Sequence, residues 1–169
     1  MKKILFFLIL VAVIPAFAFA DFQIGAIAMV KGTAASIQTG GIKANDFTYG
    51  GEARLNLGIL QGGVSALYYP ADADMPASIV ALTDVGLALD IWFIRLGAGL
   101  GPNFYSQLQN SGGTRPLSVG LNMKLAGDIN LGSISVGVVA YYYLNSLSDL
   151  RTAGKARPWV GLTAMLKLF

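Results

Sequence analysis

The chain contains neither cysteine nor histidine. Without cysteine an exported protein has no disulfide to stabilise it, no thiolate metal site and no thiol nucleophile. Without histidine it lacks the commonest general base and the commonest transition-metal ligand. Charge is scarce too, at 12% of the 169 residues. Beyond the first 20 residues no apolar run reaches the roughly 18 residues of a membrane-spanning helix. The most apolar stretch, residues 81–101, is crossed by Asp84, Asp90 and Arg95. These absences argue against a disulfide scaffold, a helical membrane protein and histidine-dependent catalysis. No catalytic residue, cofactor or metal site is expected: Asp72 and Asp74 could meet a divalent cation, but two acids are too few for a firm site.

What is present begins with an export signal. Lys2 and Lys3 precede an apolar run from Ile4 to Phe17, and Ala18-Phe19-Ala20 forms a small-residue site before Asp21. That pattern predicts a signal peptide over 1–20, removed before Asp21. The remainder, 21–169, is one domain of 149 residues with ten bases against nine acids once Lys2 and Lys3 are gone. A nearly neutral chain with no basic cluster gives no support to nucleic-acid binding.

The mature part alternates. From Phe47 to Ile59 the odd positions carry Phe47, Tyr49, Ala53, Leu55, Leu57 and Ile59, and the even ones Thr48, Glu52, Arg54 and Asn56. From Leu117 the apolar set Leu117, Val119, Leu121, Met123, Leu125 and Ile129 faces away from Ser118, Asn122, Lys124, Asp128 and Asn130. Similar splits run from Trp92 to Phe104 and from Ile134 to Leu144. Period two is the signature of a strand with different environments on its two faces. Several of these segments exceed the usual 5 or 6 residues of soluble strands and suit a tilted bilayer crossing. Charges fall on the glycine-rich face, as a narrow lumen requires, and a sheet in hydrocarbon must close to leave no edge unpaired.

Eight strands are expected, near 21–32, 46–59, 63–70, 78–90, 91–105, 116–129, 133–144 and 157–169. Tight turns are expected around Gln61-Gly62, Asp90-Ile91 and Asn130-Leu131-Gly132, and longer connections elsewhere. An eight-stranded antiparallel transmembrane β-barrel with three short periplasmic turns and four longer outer loops fits this alternation. Trp92, Phe104, Tyr105, Tyr141, Tyr142, Tyr143 and Trp159 fall near strand ends, where interfacial aromatic girdles sit. They are not interleaved with bases as a nucleic-acid stacking platform would be.

With its signal peptide, the glycine-rich segment Leu96-Gly97-Ala98-Gly99-Leu100-Gly101-Pro102, its dyad strands and a last strand ending on Phe169, the chain resembles the small outer-membrane barrels of the OmpA-like, OmpX-like and OmpW-like families. The resemblance implies a monomer among outer-membrane lipids, escorted by periplasmic chaperones and inserted by the barrel assembly machinery, which reads Phe169 as part of its C-terminal signal. Lys167, Met165 and Thr163 occupy the alternate positions where that signal expects apolar residues. Val160, Leu162, Ala164, Leu166 and Leu168 therefore read as the lipid-facing set.

The inward face then carries Glu52, Arg54, Asp84, Arg95 and Lys124, a lumen charge cluster of two acids and three bases. Counting from the expected turns puts Arg54, Asp84 and Lys124 at one height, with Arg95 nearer the periplasm and Glu52 above. On this reckoning loss of Asp84 strands two buried bases, at about 3 to 5 kcal/mol. Ser118, Ser133 and Ser135 share the lumen side but have no histidine to activate them. The leading reading is a non-enzymatic outer-membrane barrel with a side-chain-plugged polar lumen and a structural or surface-interaction role. The alternatives are a narrow pore for small solutes or ions, and a soluble periplasmic lipocalin-like carrier.

Overall fold

A computed structural model describes residues 20–31, 46–71, 76–108, 117–144 and 157–168. Eight strands, β1 (Ala20–Lys31), β2 (Phe47–Leu57), β3 (Leu60–Tyr69), β4 (Ser78–Ile91), β5 (Ile94–Gln107), β6 (Leu117–Leu131), β7 (Ile134–Leu144) and β8 (Arg157–Lys167), pair in sequence order. β1 also pairs antiparallel with β8, so the sheet closes into a barrel with no free edge. Among the described residues no helix is long and apolar enough to cross a membrane.

The ladder fixes the barrel's geometry. Stepping strand to strand through Asp21, Asn56, Gln61, Gly86, Gly99, Lys124, Tyr141 and Trp159 returns to β1 at Lys31, ten residues beyond the start. Eight strands with that stagger, at about 3.3 Å per residue and about 4.8 Å between strands, tilt by about 41°. A strand of 11 residues then climbs about 27 Å, close to the apolar band of an outer-membrane barrel.

Alternation decides what faces each side. Val85, Leu87, Leu100, Leu125, Val138 and Leu162 stand exposed on the outer wall, while Gln23, Glu52, Arg54, Lys124 and Asp128 are buried inside. So narrow a cylinder bends its strands sharply, and some inward positions leave no room for a side chain. A Cβ on Gly50 would lie 1.8 Å from the Ala66 carbonyl oxygen, and one on Gly86 would lie 1.9 Å from that of Ala98. Glycine at these places lets neighbouring backbones approach.

The hairpin turns sit slightly away from their expected positions. Gly58-Ile59 joins β2 to β3, replacing the expected Gln61-Gly62, and Gly58 takes the left-handed φ of 62° that glycine adopts without strain. Gln61 and Gly62 are residues of β3. Between β4 and β5 the turn is Trp92-Phe93 instead of Asp90-Ile91, with Trp92 itself left-handed at φ 59°. Gly132-Ser133 joins β6 to β7, with Gly132 at φ 79°. All three turns lie at one end of the barrel.

The ladder between β4 and β5 is interrupted. Pairing runs to Leu82 and Asn103 on one side and resumes at Val85 and Leu100 on the other. Pro102 lies in this gap and has no N–H to give. Side chains mend the break: Thr83 Oγ1 donates to the Pro102 carbonyl at 2.8 Å, and Asn122 Nδ2 donates to the Thr83 carbonyl at 2.7 Å and to that of Gly101 at 3.0 Å. Asn122→Ser is expected to leave the Thr83 carbonyl short of a donor and cost about 1 to 3 kcal/mol, measured by urea unfolding of the refolded barrel.

Candidate functional site: the charged lumen

Inside the barrel the side chains form three layers along the axis. The middle layer is ionic. Glu52 and Arg54 are successive inward positions of β2, so their side chains lie side by side: Arg54 Nε donates to Glu52 Oε1 at 2.7 Å. The other end of the guanidinium crosses the lumen to Asp128 of β6, Nη1 to Oδ2, at 2.5 Å. Asp128 also accepts from Thr163 Oγ1 at 3.2 Å. Lys124 Nζ is hydrogen-bonded to Glu52 Oε1, lies 3.5 Å from Asp84 Oδ2 and sits 5.7 Å from the centre of the Tyr141 ring. The Tyr141 hydroxyl is in turn hydrogen-bonded to Ser65 at 2.9 Å.

Layer membership follows distance from the turns. Arg54 and Asp128 each lie four residues before a turn glycine, Gly58 and Gly132. Asp84 and Lys124 each lie eight residues before a left-handed turn residue, Trp92 and Gly132. Glu52, six before Gly58, is at an intermediate height and bridges the two cations. The network thus holds three acids, Glu52, Asp84 and Asp128, against two bases, Arg54 and Lys124. It carries one excess negative charge, and Asp84 is its least satisfied member, with a buried Oδ2 that has no hydrogen-bond partner. Gly63 and Gly99 make the space for that carboxyl: a Cβ on either would stand 2.6 Å or 2.9 Å from its oxygens.

Toward the turns the lumen is polar. Asn56 accepts from Gln61 at 2.7 Å, and level with them, two residues from the turns, Arg95 reaches Asp90 at 3.4 Å and Asp21 at 3.6 Å. Lys167 approaches the same Asp21 carboxylate at 3.2 Å. The opposite half is apolar and aromatic. Ile27, Met29, Leu67, Val80, Leu82 and Val139 pack there with Tyr69, Tyr141, Tyr143 and Trp159. Tyr69 meets Trp159 edge-on at 4.8 Å between centroids, Tyr143 stacks on Trp159 at 5.9 Å, and the Tyr143 hydroxyl donates to Tyr69 at 3.2 Å.

Four of the five lumen charges expected from sequence, Glu52, Arg54, Asp84 and Lys124, share the middle network. Arg95 does not join it and pairs at the turn end. Asp128 was missing from the expected cluster. The signal was present, because it is on the same alternating face as Lys124 four positions away. The lumen is also less polar than expected, since alternation sends Tyr141, Tyr143 and Trp159 inward; Tyr105, inside as well, is hydrogen-bonded to Ser78 at 2.8 Å. Phe104, Tyr142 and Trp92 remain outside. Phe169, Asp72, Asp74 and most of the expected signal peptide lie outside the described residues. Among the described residues no group of three or more acids is placed to hold a metal ion.

The architecture is the closed eight-stranded antiparallel barrel of the small outer-membrane proteins. Three solved structures share it across 88% of this chain. They are the N-terminal β-barrel domain of Pseudomonas aeruginosa OprF (12% identity, 97% of that chain, TM-score 0.59), Ail, the attachment invasion locus protein of Yersinia pestis (10%, 96%, 0.55), and Neisserial surface protein A (15%, 95%, 0.50). No family model matches the chain, and no curated protein matches it in sequence.

Proposed function

We propose that this chain is exported, processed before Asp21 and inserted in a bacterial outer membrane as a non-enzymatic monomer with a closed, charged lumen and a structural or surface-interaction role. The observation that carries the reading is the inverted wall. Large apolar side chains stand exposed around the whole closed barrel, and ion pairs cross the middle of its interior. A soluble lipocalin-like carrier would present that wall to water, well beyond the apolar patch a soluble protein tolerates. Outer-membrane lipids are then the main partner, with periplasmic chaperones and the assembly machinery in transit.

The turn end supplies the test. Trp92 is 93% exposed and its neighbours Ile91 and Phe93 are exposed as well, whereas the chain's other tryptophan, Trp159, is buried in the lumen. A Trp159→Phe protein therefore has one reporter. Refolded into vesicles of brominated phospholipid, it is expected to show blue-shifted, strongly quenched emission from Trp92 and heat-modifiable gel mobility. Emission typical of water, with no quenching, would overturn the membrane reading.

The narrow pore stands as a second reading because of one observation, the excess negative charge at the middle layer with Asp84 incompletely paired. A lumen that opens there would prefer cations. Planar-bilayer recordings of the refolded protein separate the two: a closed lumen gives no steady conductance, and a pore gives cation-selective steps that Asp84→Asn makes less selective.

A further inference from the structure

A cavity of about 150 Å³ opens at the turn end of the lumen, lined among others by Asp21, Gln23, Asp90, Arg95, Ser135 and Lys167. Its charges balance, two acids against two bases, yet its hydrogen bonding is incomplete. Asp21 Oδ2 is crowded, accepting from Gln23 Nε2 at 3.0 Å and lying near both Lys167 and Arg95. Asp21 Oδ1 and Gln23 Oε1 are buried acceptors with no donor. Gln23 is itself 97% buried, its exposure being 3%. Two acceptors left without a donor in one small cavity are costly, and native structures normally fill such places.

We propose that the cavity seats the α-ammonium of the mature chain, which takes its place when processing cuts before Asp21. The inference rests on the export reading above. In the uncut chain Ala20 continues β1 opposite Leu57, and the nitrogen of Asp21 is an ordinary amide. After the cut it is a cation with donors and no acceptor, the complement of a free carboxylate oxygen and a free amide oxygen. It brings the cavity to three cations against two acids, the second of which is half-exposed Asp90 at the rim, held only at 3.4 Å by Arg95. The Asp21 carboxylate already gathers Lys167 of the last strand and Arg95 of β5. Seating the terminus there ties down the seam where the first and last strands close the barrel. Processing thereby completes the fold as well as releasing it from the leader, and inward-pointing Lys167 acquires a role at this seam.

The test compares two refolded forms in one detergent, one beginning at Asp21 and one retaining Phe19-Ala20. Heat-modifiable mobility of both forms is read first and tests the barrel alone; N-terminal sequencing of the exported protein tests processing alone. The Asp21 form is expected to unfold at clearly higher urea. Gln23→Leu, which removes one acceptor, is expected to shrink that difference. The α-amine of the folded Asp21 form should also react with an amine-selective reagent several-fold more slowly than that of the longer form. Equal urea midpoints, a difference untouched by Gln23→Leu, or equal amine reactivity would overturn the seat and leave the cavity to water.

Discussion

Arg54→Met is expected to cost the folded barrel about 3 to 5 kcal/mol, the range for breaking a buried charge pair by removing one partner. Arg54 is the only cation within reach of Asp128 among the described residues and one of two that hold Glu52. Taking it away leaves three buried acids with Lys124 as their single base, and Asp128 keeps only the Thr163 hydroxyl. Asp84→Asn should behave differently. It removes the excess negative charge, and Lys124 retains Glu52, so the change is expected to be small and of either sign. That departs from the expectation drawn from sequence, where Asp84 was one of only two acids serving three bases. Urea titration of both variants in one detergent, followed by tryptophan fluorescence, checks the contrast. If Asp84→Asn proved as damaging as Arg54→Met, the pairing of Lys124 with Glu52 and of Arg54 with Asp128 would be wrong.

The misplaced turn also sets Arg54 at the wrong height relative to its partner Asp128. A turn at Gln61-Gly62 puts Arg54 seven residues from the barrel end, level with Asp84 and Lys124. Gly58 makes the turn, and Arg54 is four residues from it, level with Asp128. Two glycines within five positions both allow a turn, and alternation cannot choose between them because glycine suits either face. The turn after β4 was hidden for another reason: Trp92 holds a left-handed φ of 59°, a conformation costing a side-chain-bearing residue roughly 1 kcal/mol or more and never anticipated from its identity. The barrel itself is legible because a closed sheet with different environments on its two faces imposes the same two-residue rule on every strand. A single girdle of Tyr141, Tyr142 and Tyr143 breaks that rule, and the structure separates them: Tyr142 faces out, its neighbours in.

A second large effect is expected on the outer wall. Leu125 lies near the middle of the 15-residue strand β6, paired with Ala98 on one side and Ala140 on the other, and its side chain is exposed. Inside the barrel, one position earlier, Lys124 is buried with its charge matched by Glu52 and Asp84. The same strand therefore carries a base stably at 124 and an apolar residue at 125, and only the environment differs. In a bilayer Leu125→Arg places an unpaired guanidinium at mid-depth, for which outer-membrane barrels lose about 2 to 4 kcal/mol. The loss should fall for Leu121→Arg, four residues closer to the β6 end remote from the turns, where the side chain can reach the interface. In detergent micelles, which admit water and polar headgroups more readily, both penalties should shrink. A soluble carrier would behave in the opposite way: arginine on its exposed wall would leave stability nearly unchanged and raise solubility. Equilibrium unfolding from vesicles, with Leu125→Arg and Leu121→Arg side by side, distinguishes the two outcomes, and a Leu125→Arg protein as stable in vesicles as its parent would remove the wall from the hydrocarbon.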